Sequence, residues 1–329
     1  MFDVPLWAWA ATVGLILVML TVDFVGHVRT PHAPSMKEAA TWSVVYIAIA
    51  LVFGVIVWIT GGHDYGQQFF AGYITEKSLS VDNLFVFVLI MASFKVPREN
   101  QQKVLLLGIA IALALRTVFI FIGAAAIEQW SFVFYIFGAF LLWTAYSQVR
   151  TSSTEGEYHE NAILRWTRRI FPTTPNYVQD RMFHRIEGKL YITPMLIVMI
   201  AIGSADVLFA VDSIPAIFGL TDHVFLIFAA NAFSLLGLRQ LFFLIDGLLD
   251  KLVYLNYGLA AILALIGAKL VIHALHTNEL PFINGGEPVL GVPEIPTTLS
   301  LVLILGILAV TTVLSLTVGK SKTIEHPTV

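Results

Sequence analysis

The segments EKSLSVDN, residues 76–83, and DVLFAVDS, residues 206–213, share one arrangement of polar residues. In each segment an acidic residue is followed six positions later by an aspartate, which lies between a valine and a small polar residue. Both segments lie inside long apolar stretches. A charged side chain near the middle of a bilayer costs about 2.5–3.5 kcal/mol on insertion scales. Because the chain accepts this cost four times in two matching places, the pattern indicates that a cation binds there.

The composition indicates the class of protein. Of the 329 residues, 57% are hydrophobic and only 12% are charged, whereas soluble domains carry roughly twice that charge. The formal net charge is −3, so no basic surface suggests binding to nucleic acid. The chain has no cysteine, which excludes disulfides and thiolate metal ligands. We expect neither an enzyme nor a protein with a prosthetic group.

Nine apolar stretches are long enough to cross a bilayer, since a transmembrane helix needs about 20 residues. They are 6–24, 41–60, 70–94, 103–126, 131–149, 191–218, 223–246, 253–276 and 298–318. They predict an all-α polytopic membrane protein with about nine transmembrane helices.

The basic residues predict the orientation, because loops on the cytoplasmic side are enriched in Lys and Arg. With the N-terminus outside and the C-terminus inside, the predicted outer loops contain no Lys or Arg. The predicted inner segments contain fifteen of the 19 basic residues, namely Arg29, Lys37, Lys95, Arg98, Lys103, Arg150, Arg165, Arg168, Arg169, Arg181, Arg185, Lys189, Lys251, Lys320 and Lys322.

The similarity between the two acidic segments extends into the helices that follow them. LALRTVFIFIG, residues 113–123, aligns with LGLRQLFFLID, residues 236–246. A unit of three helices crosses the membrane an odd number of times, so its copy must be inverted. The sequence therefore predicts a 3+3 inverted repeat, which is typical of transporters with a site at the membrane midplane. The aligned charged pairs are Glu76 with Asp206, Asp82 with Asp212, and Arg116 with Arg239.

The repeat divides the chain into six parts. These are the peripheral helices one and two (1–60), repeat one with helices three to five (61–150), a cytoplasmic loop (151–190), repeat two with helices six to eight (191–276), an outer loop (277–297), and helix nine with a cytoplasmic tail (298–329). In the cytoplasmic loop, residues 161–171 are either a basic amphipathic helix on the inner leaflet or simply a basic loop. Asp23, at the inner end of the first helix, is expected at the membrane interface.

Residues six apart on a straight helix point about 120° away from each other. Glu76 and Asp82 therefore cannot bind the same ion from an ideal helix, and neither can Asp206 and Asp212. Two explanations are open. The acids could form successive stations about 9 Å apart along the helix axis, or the helix could be broken between them so that backbone carbonyls join the site. Pro215 favours a break in helix six, because proline removes a helical hydrogen bond.

The polar side chains of both segments are hard oxygen ligands, which suit Mg, Ca and Mn. The candidate metal ligands are Glu76, Asp82, Asn83, Asp206, Asp212 and Ser213. Arg116 and Arg239 would balance part of the charge of the four carboxylates. Two negative charges would remain for one divalent cation or for protons, which makes exchange of a cation for protons chemically natural.

Two other interpretations of the acids are open. They could pair with Arg116 and Arg239 only to hold the helix bundle together, as in a membrane scaffold or assembly factor. Two aspartates on separate helices could also form the dyad of an intramembrane aspartyl protease, but the expected Tyr-Asp and Gly-x-Gly-Asp contexts are missing. Neutralising the acids distinguishes a transporter from a scaffold, since transport should fail whereas scaffolding should survive.

At these residues the chain resembles the TerC family of bacterial membrane proteins. The resemblance rests on EKSLSVDNLFVF (76–87), the helix that contains Arg116, and SADVLFAVDSIPAIF (204–218), and it covers roughly residues 40–318. It implies an exporter of the LysE-like superfamily in the bacterial inner membrane, with Mn(II) as the substrate. It also implies that the six candidate ligands handle the ion. The family is linked to tellurium resistance and to metal supply for exported enzymes, so the expected partners include the translocon or a second copy of the chain.

Overall fold

A computed structural model describes residues 4–28, 35–151, 172–174, 176–178, 181–186, 189–245, 254–289 and 291–317. Within these ranges the side chains of Asp82, Phe85, Thr151 and Ile245 are not described. The segment 161–171, for which an interfacial helix was one expectation, lies outside the described residues, as does the tail 318–329.

Helices account for most of the described residues. They are α1 (Leu6–Asp23), α2 (Met36–Gly61), α3 (His63–Ser93), α4 (Arg98–Gln129), α5 (Val133–Thr151), α6 (Pro194–Phe218), α7 (Val224–Leu236), α8 (Leu238–Ile245), α9 (Leu255–His276) and α10 (Thr297–Thr317). A π-helical turn at Phe24–Val28 extends α1, and a 3₁₀ turn at Asn284–Gly286 lies before α10.

Two short strands, β1 (Phe183–Ile186) and β2 (Lys189–Ile192), form an antiparallel hairpin just before α6. Phe183 is opposite Ile192, and Ile186 is opposite Lys189. This hairpin was not predicted from the sequence. The other described secondary-structure elements are helices, which confirms the predicted all-α class.

Each of the nine predicted stretches coincides with a helix, and the seventh coincides with α7 and α8 together. Seven helical segments are long and apolar enough to cross a membrane, and α3 and α5 are not among them. The reason lies in their polar residues: α3 contains the first acidic segment, and α5 ends in the polar sequence that includes Ser147, Gln148 and Arg150. The count of nine spans therefore stays a prediction.

The helices pack in pairs around the two acidic segments. Helix α4 packs on α6, α3 packs on α7, and α5 packs on α9. Helices α1, α2 and α10 bury few of their residues, whereas almost every residue of α7 is buried. The acidic segments lie on α3 and α6, so the surrounding helices enclose them.

The position of the helix break differs from the expectation. Helix α6 is continuous from Pro194 to Phe218, and Pro215 lies in its last turn. A proline so near the end removes one hydrogen bond without ending the helix, and Gly219 still donates its N–H to the Pro215 carbonyl at 3.1 Å. The expected break between Asp206 and Asp212 is therefore wrong.

The observed break lies at Gly237, between α7 and α8. The Lys77 ammonium donates to the carbonyl oxygen of Ser234 at 3.1 Å, in the last turn of α7. A Cβ atom on Gly237 would lie 2.8 Å from the Lys77 Nζ atom, so a side chain at this position would displace the ammonium. Lys77 thus provides a positive charge at the carboxyl end of α7, where the helix dipole is negative.

Candidate functional site

Arg116 of α4 is fully buried and binds both acidic segments. Its Nε and Nη2 atoms donate to the two carboxylate oxygens of Asp206, at 3.0 and 2.9 Å. Its Nη1 atom donates to Glu76 Oε2 at 3.0 Å and to Ser213 Oγ at 3.1 Å. This network, called the Arg116 cluster below, joins α3, α4 and α6. The two-bond contact with Asp206 is the strong geometry for a guanidinium and a carboxylate.

Asn83 also belongs to the Arg116 cluster. Its amide is satisfied when the nitrogen donates to the Leu79 carbonyl at 3.1 Å and the oxygen accepts from Arg116 Nη2 at 3.3 Å. In the opposite orientation the amide oxygen would face only acceptors. Asn83 therefore holds the guanidinium from the side of α3.

Asn231 of α7 is a member that the sequence analysis missed. Its Nδ2 atom donates to Glu76 Oε2 at 3.1 Å, and the residue is 1% exposed. The signal that could have revealed it is a single amide inside the otherwise apolar run VFLIFAANAF, residues 224–233. Two buried oxygens next to this bond, Glu76 Oε1 and Asn231 Oδ1, have no hydrogen-bond partner among the described residues.

Asp212 lies apart from the Arg116 cluster, on a cavity of about 330 Å³ between α3, α5, α6 and α9. It is half-buried, and its Oδ1 atom accepts a hydrogen bond from Thr144 Oγ1 at 3.2 Å. The residues lining the cavity are Leu79, Asn83, Trp143, Thr144, Ser147, Gln148, Phe209, Asp212, Ser213 and Leu263. Asn83 and Ser213 border both this cavity and the Arg116 cluster, so the two sites are in contact.

The six candidate ligands therefore divide into three groups. Glu76, Asn83, Asp206 and Ser213 surround Arg116, Asp212 faces the cavity, and the side chain of Asp82 lies outside the description. Asp206 and Asp212 point to different neighbours, as residues six apart on a continuous helix must. Among the described side chains, no three His, Asp or Glu residues are arranged to hold a metal ion.

Arg239 does not contact the acids that it was expected to balance, as far as their side chains are described. Its Nη2 atom donates to Asp23 Oδ1 at 2.9 Å, and its Nη1 atom donates to Gln102 Oε1 at 3.0 Å. Gln240 also donates to Asp23 Oδ1, at 3.1 Å. The break at Gly237 assigns Arg239 to the short helix α8, where Asp23 is its carboxylate partner. Asp23 is 1% exposed, so it is buried between helices; its predicted place at the membrane interface stays a prediction.

Seven helical segments are long and apolar enough to cross a membrane, and the bundle that they form contains buried charges. This combination is typical of an integral membrane protein with several spans. Comparison with known proteins identifies the family within that class. The chain belongs to the TerC family, since a sequence model of the "Integral membrane protein TerC family" matches residues 61–323. This confirms the family predicted from the acidic segments.

Three relatives illustrate the family. An uncharacterized membrane protein of Mycobacterium tuberculosis is 52% identical over 311 residues, which are 93% of this chain and 78% of that protein. One from Myxococcus xanthus is 40% identical over 264 residues, 80% of this chain and 83% of that protein. An Escherichia coli protein that carries "membrane-bound redox modulator Alx" in its name is 38% identical over 273 residues, 80% of this chain and 85% of that protein. No solved structure matches the chain.

Proposed function

We propose that this TerC family protein exports divalent metal cations, Mn²⁺ foremost, across the bacterial plasma membrane, and that protons move in the opposite direction. The observation that carries the proposal is the contact between two sites: an oxygen-lined cavity with Asp212 and a buried charge cluster centred on Arg116. The choice of Mn²⁺ rests on the family resemblance together with the hardness of the ligands.

The cavity offers ligands that suit a hard divalent cation. It is lined by the Asp212 carboxylate, the amides of Asn83 and Gln148, and several hydroxyl groups. Carboxylates, amide carbonyls and hydroxyls are oxygen ligands, which Mg²⁺, Ca²⁺ and Mn²⁺ prefer. An ionisable residue inside a membrane bundle is a functional candidate because its burial is expensive. In our proposal Asp212 is the first station that the cation reaches.

The Arg116 cluster supplies the second station. Glu76 and Asp206 are both paired with the one guanidinium, so a cation that binds them must compete with Arg116. Asn83 and Ser213 contact both the cavity and the guanidinium, and a cation in the cavity would weaken their bonds to Arg116. Movement of Arg116 would then couple arrival of the cation to a change in helix packing, which is how a ligand shifts a conformational equilibrium.

The predicted inverted repeat is part of the proposal, with nine spans, the N-terminus outside and the C-terminus in the cytoplasm. In the predicted repeat, α3 corresponds to α6, α4 corresponds to α7 with α8, and α5 corresponds to α9. The packing of α4 on α6 in the structure therefore corresponds to the packing of α7 on α3, and the packing of α5 on α9 corresponds to itself. Pairing of this kind is what a two-fold axis in the membrane plane would produce, and transporters with such repeats bind ions near the midplane.

The charge balance of the acidic segments is compatible with proton exchange. Because Arg239 pairs with Asp23, Arg116 is the one guanidinium that contacts the acidic segments among the described residues. Four carboxylates against Arg116 and the ammonium of Lys77, which lies within the first segment, leave two negative charges. Either one divalent cation or two protons can neutralise them.

A scaffold or assembly role is the second candidate, and one observation favours it. The hydrogen bonds of Arg116 tie α3, α4 and α6 together, which is also what a purely structural ion pair would do. The Alx relatives are named for redox modulation, but this chain has no cysteine, so we do not propose thiol chemistry for it.

Metal uptake into inverted membrane vesicles tests the proposal. Vesicles with the wild-type protein should accumulate Mn²⁺ in preference to Mg²⁺ and Ca²⁺, with release of protons from the vesicle lumen. Asp212→Asn should stop the uptake, while Asp222→Asn, at an exposed aspartate outside both sites, should not. Mn²⁺ uptake with unchanged lumenal pH under a clamped voltage would remove proton exchange, and no Mn²⁺ uptake would favour the scaffold.

A further inference from the structure

We propose that Asn231 is a ligand of the transported cation, acting together with Glu76, and that it helps the protein to select hard divalent cations. The inference rests on the proposed function, and it adds a residue outside both acidic segments. Asn231 lies on α7, at the interface with α3. Asn231 and Glu76 are each 1% exposed.

The hydrogen bond between the two residues fixes the orientation of the amide. Nδ2 of Asn231 donates to Glu76 Oε2 at 3.1 Å, and Arg116 Nη1 donates to the same oxygen at 3.0 Å. Reversing the amide would place its oxygen against a carboxylate oxygen, with two acceptors facing each other. The Oδ1 atom is therefore the free acceptor of Asn231.

Two buried hydrogen-bond acceptors are unpaired in this pair of residues. The carboxylate of Glu76 and the amide of Asn231 are joined by the 3.1 Å hydrogen bond, and their other oxygens, Glu76 Oε1 and Asn231 Oδ1, have no hydrogen-bond partner among the described residues. Buried polar atoms are normally paired, so an unpaired acceptor in a native structure needs a reason. One cation could bind both oxygens, whereas a donor from the protein would satisfy only one.

The chemistry of the pair points to a hard cation. One oxygen is from a carboxylate and the other from an amide, and both types occur in sites for Ca²⁺ and similar ions. The neutral amide adds an oxygen ligand without adding charge. It therefore favours cations that prefer oxygen ligands, whereas a further carboxylate would also attract any cation by its charge. A softer ion that prefers nitrogen or sulfur would gain less from it.

The location gives the pair a role in the transport path. The Asp212 cavity lies between α3, α5, α6 and α9, while the pair lies where α3 meets α7. Arg116 Nη1 donates both to Glu76 and to Ser213, and Ser213 borders the cavity. Through Glu76 and this one nitrogen, Asn231 is therefore connected to the cavity that contains Asp212. The charged groups that act on Glu76 from the neighbouring helices are Arg116 and Asp206.

Calorimetric binding of Mn²⁺ to the purified protein, with the melting temperature as a second reading, tests this role. Asn231→Leu should weaken Mn²⁺ binding by about tenfold or more. Asn231→Asp keeps an oxygen at the same place and should bind Mn²⁺ at least as tightly as the wild type does. Ser234→Ala, one turn further along α7, is the control and should change the affinity by less than about threefold.

The outcomes separate this inference from the proposed function. If the wild-type protein binds Mn²⁺ and Asn231→Leu binds it equally well, Asn231 is not a ligand and the exporter proposal stands. If the wild-type protein binds no divalent cation, both proposals fail. Should Asn231→Leu not fold, Asn231→Asp decides: weaker Mn²⁺ binding than in the wild type, by a variant that folds, would overturn the role of Asn231 as a ligand.

Discussion

Arg116 binds both carboxylate oxygens of Asp206, at 2.9 and 3.0 Å, and both residues are almost completely shielded from solvent. The same guanidinium also contacts Glu76, so one arginine pairs with the acidic residue that begins each of the two matching segments. The guanidinium balances part of the charge of the two acids, and in the proposed exporter a cation that binds these acids would have to compete with it.

Removing the charge of Arg116 should destabilise the protein strongly. Arg116→Gln leaves Glu76 and Asp206 buried without their cation, and breaking one side of a buried ion pair costs about 3–5 kcal/mol. The melting temperature in detergent measures the loss, and Arg181→Gln, at an exposed arginine, is the control. An unchanged melting temperature for Arg116→Gln would mean that the cluster adds nothing to stability.

Asp82→Asn and Asp212→Asn should each lower Mn²⁺ export by at least about 100-fold, more than the loss of an outer-shell partner of a metal ligand costs. We predict that both aspartates bind one shared cation, so the double variant should be no worse than either single variant. Both proteins should fold, since an amide at position 212 can still accept the Thr144 hydrogen bond. Normal export by a stable Asp212→Asn protein would exclude the shared site.

Gly237→Ala should destabilise the protein, because its Cβ atom would lie 2.8 Å from Lys77 Nζ and displace the ammonium from the Ser234 carbonyl. A hydrogen bond from a charged group is worth about 1.5–3 kcal/mol. Gly14→Ala, which meets nothing within 4 Å, is the matched control and should be neutral or slightly stabilising. In a Lys77→Met background the effect of Gly237→Ala should shrink; an equal effect there would show that Lys77 is not responsible.

Glu294, in the loop before α10, should make stability depend on acid pH. Burial raises the pKa of its carboxyl, but hydrogen bonds with His276 and His273 outweigh this and hold the pKa below its ordinary value. A carboxyl with a lowered pKa stabilises the folded state above the unfolded pKa of about 4.3 and loses that contribution as the pH falls through the folded value.

Melting curves of the wild type and Glu294→Gln between neutral and acid pH measure this contribution. The difference should be below about 1 kcal/mol near neutral pH, because solvent screens a carboxylate that is 55% exposed. The difference in stability between the two proteins should vanish at acid pH, where Glu294 is protonated. A difference that grows on acidification would contradict the assignment.

The orientation can be tested with single cysteines, since the chain has none of its own. An impermeant thiol reagent added to intact cells should label Phe282→Cys, at an exposed residue of the predicted outer loop. It should label Lys189→Cys, at an exposed residue of β2, only after the membrane is opened. The reverse pattern would invert the topology.

The sequence alone determined the class of the protein, the place of each helix and the acids worth testing. Helix positions follow from local composition, because a stretch of about 20 apolar residues must span or be buried wherever it occurs. The period of the helix also predicted that Asp206 and Asp212 point away from each other: Asp206 binds Arg116, while Asp212 accepts a hydrogen bond from Thr144.

Only the tertiary structure decided the partners of these side chains. Arg239 pairs with Asp23, which is 216 residues away in the chain, and Glu76 bonds with Asn231, which is 155 residues away. The helix breaks at Gly237 and not near Pro215, and the ammonium beside that break is Lys77 from another helix. Such pairings depend on which helices pack together, and no local pattern encodes that. A buried charge must find its counter-charge within a few ångströms, and the packing of distant helices determines which one is there.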